Sequence, residues 1–174
     1  MKRTSNYLTR FTLTLSFVAG LLASNTEAKS EPAGLPGGFK LGSSLEEAQR
    51  HASSRGWELV RLSPELPGQW EVEGNTGAEV GLFVCDDTVT SVHQYKPGDL
   101  DEFARIVTDL RIARRQMEPN IQVVTFAAGA TQISNVDVKF AELGGHKLNV
   151  QLSSTAGRLG ISTNYFIGGG CPKP

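Results

Sequence analysis

The sequence predicts an α+β protein of two pseudo-repeated halves, each one helix followed by an antiparallel meander of three to four strands, with the helices packed on one face of the sheet. Three observations carry that expectation. Two capped amphipathic patterns begin 55 residues apart, near Ser44 and Asp99. After each, the apolar period falls from that of a helix to that of a strand. Gly, Asn and Asp pairs then punctuate the strand-like segments at hairpin spacing.

The first 28 residues read as a cleaved signal peptide. Lys2, Arg3 and Arg10 give a positive start, Phe11–Ala23 is an uncharged and largely apolar run, and Thr26-Glu27-Ala28 ends in small-residue style. A spanning helix needs about 20 apolar residues, so the run is too short for a permanent anchor. No cysteine near the cut offers a lipid attachment point. The expected product is a periplasmic or secreted protein of a bacterial envelope that begins near Lys29, with no transmembrane segment in its mature part.

Cleavage after Ala28 leaves 14 Lys+Arg against 17 Asp+Glu, a net charge of −3. A mildly acidic surface argues against nucleic acid, whose binders concentrate basic residues on one face. It also argues against a polybasic grip on anionic lipid. The sequence contains two cysteines, Cys85 and Cys171, and in an oxidising compartment they are expected to form one disulfide. Closing a loop of roughly 85 residues stabilises by about 4–5 kcal/mol in the chain-entropy model.

Residues 29–38 are rich in Pro and Gly and read as an extended arm before a single domain over 39–167, with halves at about 39–96 and 97–167. Ser43/Glu46 and Ser44/Glu47 each fit a capping box, and Leu45, Ala48 and Ala52 share a face, so a helix is expected over Ser44–Arg55 with Gly56 as its stop. Short strands follow at Trp57–Leu62 and Gln69–Glu73. The partner beyond Gly74–Gly77 puts Ala78, Val80, Leu82 and Val84 on its buried side. Asp86-Asp87 turns the chain into Thr88–Tyr95. Asp99 and Glu102 cap a second helix with the stripe Leu100, Phe103, Ile106, Val107 and Leu110, fraying near Ile112. Four more strands are expected at Ile121–Ala127, Val136–Glu142, Lys147–Leu152 and Leu159–Phe166, turned by Gly144-Gly145 and Ala156-Gly157. Their alternation of apolar with Asp, Lys, Asn, Gln and Ser residues describes a sheet packed on one side and wet on the other. Residues 168–174 form a Gly-rich tail carrying Cys171.

In layout, the helix opened by Gly42-Ser43-Ser44-Leu45-Glu46-Glu47-Ala48 and the Gly-turned hairpins after it resemble the tandem helix-plus-sheet architecture of secreted β-lactamase inhibitory proteins. Each half also resembles small outer-membrane assembly lipoproteins of the BamE type, although the lipidated cysteine of that group is missing. The resemblance implies an architecture and a binding role, and no residue is carried over from it.

Catalytic constellations are not evident. His51, His93 and His146 have no ligand at metal spacing. Asp86-Asp87 lacks the alternating oxygen ligands of a calcium loop. Gly-X-Ser-X-Gly, Ser-X-X-Lys and His-Glu-X-X-His are all missing. No cofactor and no metal is therefore expected. Arg111 and Arg114 fall on the apolar side of the second helix. They either complement its C-terminal dipole or rim a groove that grips an acidic partner. Trp57 and Trp70 are candidate interface anchors, with core packing the competing role. The expected function is a non-catalytic binding protein, an inhibitor or accessory factor whose partner is another envelope or extracellular protein. The alternatives are a small exported hydrolase with a site built from sequence-distant residues, or a small-ligand binding module.

Overall fold

The computed structural model describes residues 34–74, 77–115 and 118–168. Among these residues it is mixed α+β, with two α-helices, a short 3-10 turn at Pro36–Gly38 and one eight-stranded antiparallel sheet. Helix α1 (Leu45–Ser54) is followed by β1 (Glu58–Arg61), β2 (Gln69–Glu73), β3 (Glu79–Cys85) and β4 (Thr88–Pro97). Helix α2 (Leu100–Ala113) is followed by β5 (Asn120–Ala128), β6 (Thr131–Leu143), β7 (His146–Thr155) and β8 (Arg158–Ile167). The strand order is β1-β2-β3-β4-β8-β7-β6-β5, so the last described strand pairs with β4 and the two ends of the sheet are β1 and β5.

Local chemistry explains most of these boundaries. The Ser44 hydroxyl accepts from the Glu47 N–H at 3.2 Å while the Glu47 carboxylate accepts from the Ser44 N–H at 3.0 Å, a closed capping box that starts α1. Asp99 caps α2 in the same sense, accepting from the Glu102 N–H at 2.9 Å. Both residues of the Asp86-Asp87 turn have positive φ, 45° and 61°, which matches the twist demanded by a two-residue hairpin. Asp tolerates that region because its short polar side chain bonds locally.

Burial is one-sided. Following the register across the sheet, Arg61, Trp70, Leu82, Val92, Tyr165, Leu148 and Phe140 occupy one row of one face. Every buried hydrophobic strand side chain lies on that face. One cluster joins Ala48 and Ala52 of α1 to Leu59, Val72, Val80, Leu82, Val89 and Val92, with Phe39 closing it. A second joins Phe103 of α2 to Val138, Phe140, Leu148, Val150, Leu152 and Ile161. Between them, at the β4–β8 joint, the same face carries Gln94, Lys96 and Thr163, which line a cleft of about 220 Å³ beside Ile106 and Leu110.

Several details depart from the sequence expectation. The arm is packed at its end: Pro36 is buried, and His51 Nε2 lies 2.9 Å from the Gly37 carbonyl. His51 is therefore a tether between α1 and the arm. Strand β6 begins at Thr131, five residues earlier than its apolar alternation indicates, because a tight turn at Gly129-Ala130 folds it directly back on β5. Helix α2 stays helical through Ala113, and Leu100 is 61% exposed despite its place in the stripe.

Leu82 is fully buried. Leu82→Ala is expected to lower unfolding free energy by about 2–5 kcal/mol. Ser44→Ala, which opens the capping box, should remove about 1 kcal/mol. Both are read as shifts in the urea midpoint at unchanged slope.

Candidate functional site

Opposite the buried side chains, the sheet presents a second broad face. One row crosses all eight strands: Val60, Glu71, Gly81, His93, Asn164, Asn149, Lys139 and Asn120. A neighbouring row runs from Glu79 through Tyr95, Ser162, Gln151 and Asp137 to Gln122. Strand alternation puts these groups outward for the same reason that it puts Leu82 and Val150 inward.

Two glycines set the relief of this face. The His93 ring lies over Gly81 so closely that a Cβ on Gly81 would collide with it. Tyr95 covers Gly160 in the same way. In both cases an aromatic ring fills the hole that the missing side chain leaves, laying the ring flat along the sheet. His93 thereby loses hydration, and this lowers its pKa from 6.5, while the Glu71 carboxylate acts in the opposite direction.

The two halves of the face differ in charge. On the β5–β8 side several polar groups are tied together. Asn149 Nδ2 donates to Asp137 Oδ1 at 2.8 Å, Lys139 Nζ lies 3.5 Å from Asp137 Oδ2, and the same Nζ donates to Gln122 at 2.7 Å. On the β1–β4 side Glu58, Glu71, Glu73 and Glu79 share the face, and none makes an ion pair among the described residues. Lys96, the lysine of β4, points to the helix side and binds Glu102 there. Glu102 also accepts from Arg105, and with Arg105 as the larger influence and Lys96 the next, its carboxyl is held down to about 2. A groove of about 580 Å³ at the edge of this region is lined by Glu71, Glu73, Glu79 and Tyr95 of the open face together with Val72 and Lys96 of the other.

The sequence-derived candidates lie elsewhere. Trp57 and Trp70 are half-buried and pack against the first cluster. Trp57 stands 6.5 Å from both the Phe39 and the His51 rings, and the Arg55 guanidinium lies 5.7 Å above it. Arg111 is in the last turn of α2 and Arg114 is its C-cap. Arg114 Nη2 donates to the His146 carbonyl at 3.3 Å, which fastens the end of α2 to the β6–β7 turn. Burial lowers the Arg114 pKa and raises that of Tyr165, each partly offset by the other. The four residues thus belong to two different regions, and all are separate from the open face. Cys85 ends β3, and its expected partner Cys171 lies outside the described residues, as do the signal segment and residues 29–33. Among the described residues no group of three or more His, Cys, Asp and Glu is placed to hold a metal. No described helix is long and apolar enough to cross a membrane.

What sequence reasoning missed is the Glu71–His93 relation. It needs the β2–β3–β4 register, and its one visible trace is Gly81, a glycine between the apolar Val80 and Leu82 of β3. No protein-family model, curated protein or solved structure matches the chain.

The lowered His93 pKa fixes the sign of a pH effect. The folded chain binds this proton less readily than the unfolded chain. Stability therefore declines as pH falls through 6.5, and the decline ends once the lower folded value is passed. An NMR titration should give His93 a midpoint below 6.5, and Glu71→Gln should lower it further; a midpoint at or above 6.5 contradicts the account.

Proposed function

We propose that this chain is an exported, non-catalytic binding protein of a bacterial envelope, an inhibitor or accessory factor whose protein partner docks on the open face of the sheet. The observation that carries the reading is the one-sided burial: all buried hydrophobic strand side chains share one face, leaving on the other an eight-strand-wide surface of mostly polar groups on β2–β4 and β6–β8 with His93 and Tyr95 laid on it. A wide face with amphipathic rings suits protein recognition, since such rings offer contact area at low entropic cost. Small-molecule sites are concave and mostly apolar, and the clefts here are small or rimmed by charge.

The acidic β1–β4 side favours a partner that presents Lys or Arg to it. Complementary charge of this kind raises the association rate and selects against acidic competitors. Arg111 and Arg114 take the structural role in this reading, neutralising the end of α2 and holding the β6–β7 turn. Trp57 and Trp70 complete the first core. The order helix then four strands, occurring twice, supports reading the halves 39–96 and 97–167 as a pseudo-repeat with both helices on one face. A Cys85–Cys171 disulfide would tie the tail to the end of β3, and cleavage after Ala28 would release the soluble form. Intact mass with and without reductant and alkylation tests both.

The decisive experiment is affinity capture of the exported protein from an envelope extract. Glu71→Lys with Glu79→Lys should weaken capture by about tenfold or more at low salt, with the deficit shrinking as salt rises. Arg111→Ala with Arg114→Ala should retain capture. Loss of capture in the arginine pair at unchanged melting temperature moves the docking surface to the helix side. Turnover of a substrate with no partner recovered removes the binding reading altogether.

A further inference from the structure

The two ends of the sheet are built differently. Strand β1 has four residues, and charged Glu58 and Arg61 stand at its two ends. Strand β5 has nine, Asn-Ile-Gln-Val-Val-Thr-Phe-Ala-Ala, without a charge or a proline. Ile121 is 62% exposed, Val123 72%, Val124 49% and Phe126 47%. These side chains alternate, Ile121 and Val123 on the helix side and Val124 and Phe126 on the open side, so the strand is apolar on both faces. An edge strand also leaves half of its backbone N–H and C=O groups without a ladder partner. Edge strands normally carry charge, proline or a bulge against pairing with another chain. Strand β1 has that protection and β5 does not.

We propose that β5 pairs with β5 of a second copy of this chain, antiparallel and about a two-fold axis, to make one continuous sheet across a homodimer. The inference is independent of the open-face reading, because the edge is a different surface.

Symmetry argues for a second copy as the occupant. About a two-fold axis normal to the sheet, each residue meets one on the same face, so the register must pair positions of equal parity. Centring on Val124, the middle of the strand, engages all nine residues and places Val124 against its own copy. Val123 then meets Thr125, and Ile121 meets Ala127. No charge confronts its own image in this arrangement, although the mature chain carries a net −3. The paired length is about 30 Å. Each copy has one receptive end and one blocked end, so a two-fold contact consumes both β5 edges and growth stops at two. The backbone ladder supplies most of the attraction, and the small contact area compared with about 800 Å² per partner in stable complexes implies a reversible dimer.

Sedimentation equilibrium of the purified exported protein, from micromolar to sub-millimolar concentration, reads the association directly. The native chain should pass from monomer to dimer without larger species. Val124→Lys puts two like charges at the axis and should weaken dimerisation by about tenfold or more while near-ultraviolet circular dichroism stays native. Should that variant lose its fold, Val124→Cys replaces it. Two sulfurs at the axis should cross-link under mild oxidant, while Leu62→Cys, near the opposite edge, should not. A native chain that remains monomeric over the whole range overturns the proposal, even if it accepts an added extended peptide along β5. Dimerisation that persists unchanged in folded Val124→Lys, or a failure of Val124→Cys to cross-link, overturns it as well.

Discussion

The pairing of β4 with β8 is the joint on which the rest of the molecule depends. Seven register pairs, from Ser91–Phe166 to Pro97–Gly160, connect strands far apart in the chain. Every other strand pairing in the sheet is between sequence neighbours. Without the joint there would be two separate four-stranded sheets. The register also decides orientation. Val92 opposite Tyr165 and Lys96 opposite Ile161 align the two apolar faces, and a slip by one residue would turn one core toward water.

That alignment has a chemical consequence at the middle of the sheet. The helix-side row across the joint includes Gln94 and Thr163, and Lys96 beside them pairs with Glu102 of α2. The two clusters are therefore separated by polar groups and do not fuse into one core. Neither helix is deeply set. Helix α1 buries two alanines, and α2 buries Phe103 while Ile106, Val107 and Leu110 are only partly covered. Most apolar contact is made by the sheet's own side chains, so the strands rather than the helices determine what the opposite face can present.

The sequence made the local devices legible. Ser44 with Glu47 and Asp99 with Glu102 mark both helix starts because capping depends on residues three apart. Asp86-Asp87, Gly144-Gly145 and Ala156-Gly157 mark three hairpins because positive φ demands particular residue types. Alternation identified the buried parity of β3, β7 and β8. The turn at Gly129-Ala130 was not legible, since Thr131-Gln132-Ile133-Ser134-Asn135 lacks an apolar rhythm to announce a strand. The β4–β8 pairing was not legible either: His93 meets Asn164 and Gln94 meets Thr163, and such polar pairs leave no pattern to match. The open face needed that pairing before any of its residues could be grouped. Trp57, Trp70, Arg111 and Arg114 stood out by residue type and helical position, and type does not reveal which side of a sheet a residue serves.

The joint also sets an order of events in synthesis. Hairpins β1 to β4 can form as soon as they leave the ribosome, because their contacts are local. Strand β4 then waits, one side unpaired, while α2 and three further strands are made before β8 arrives. Contacts between segments distant in sequence are in general slow to close, and an unpaired strand edge is where a partly made chain is open to misassembly. A nascent chain of this design gains from a holding chaperone that covers the unpaired edge of β4 until the chain is complete.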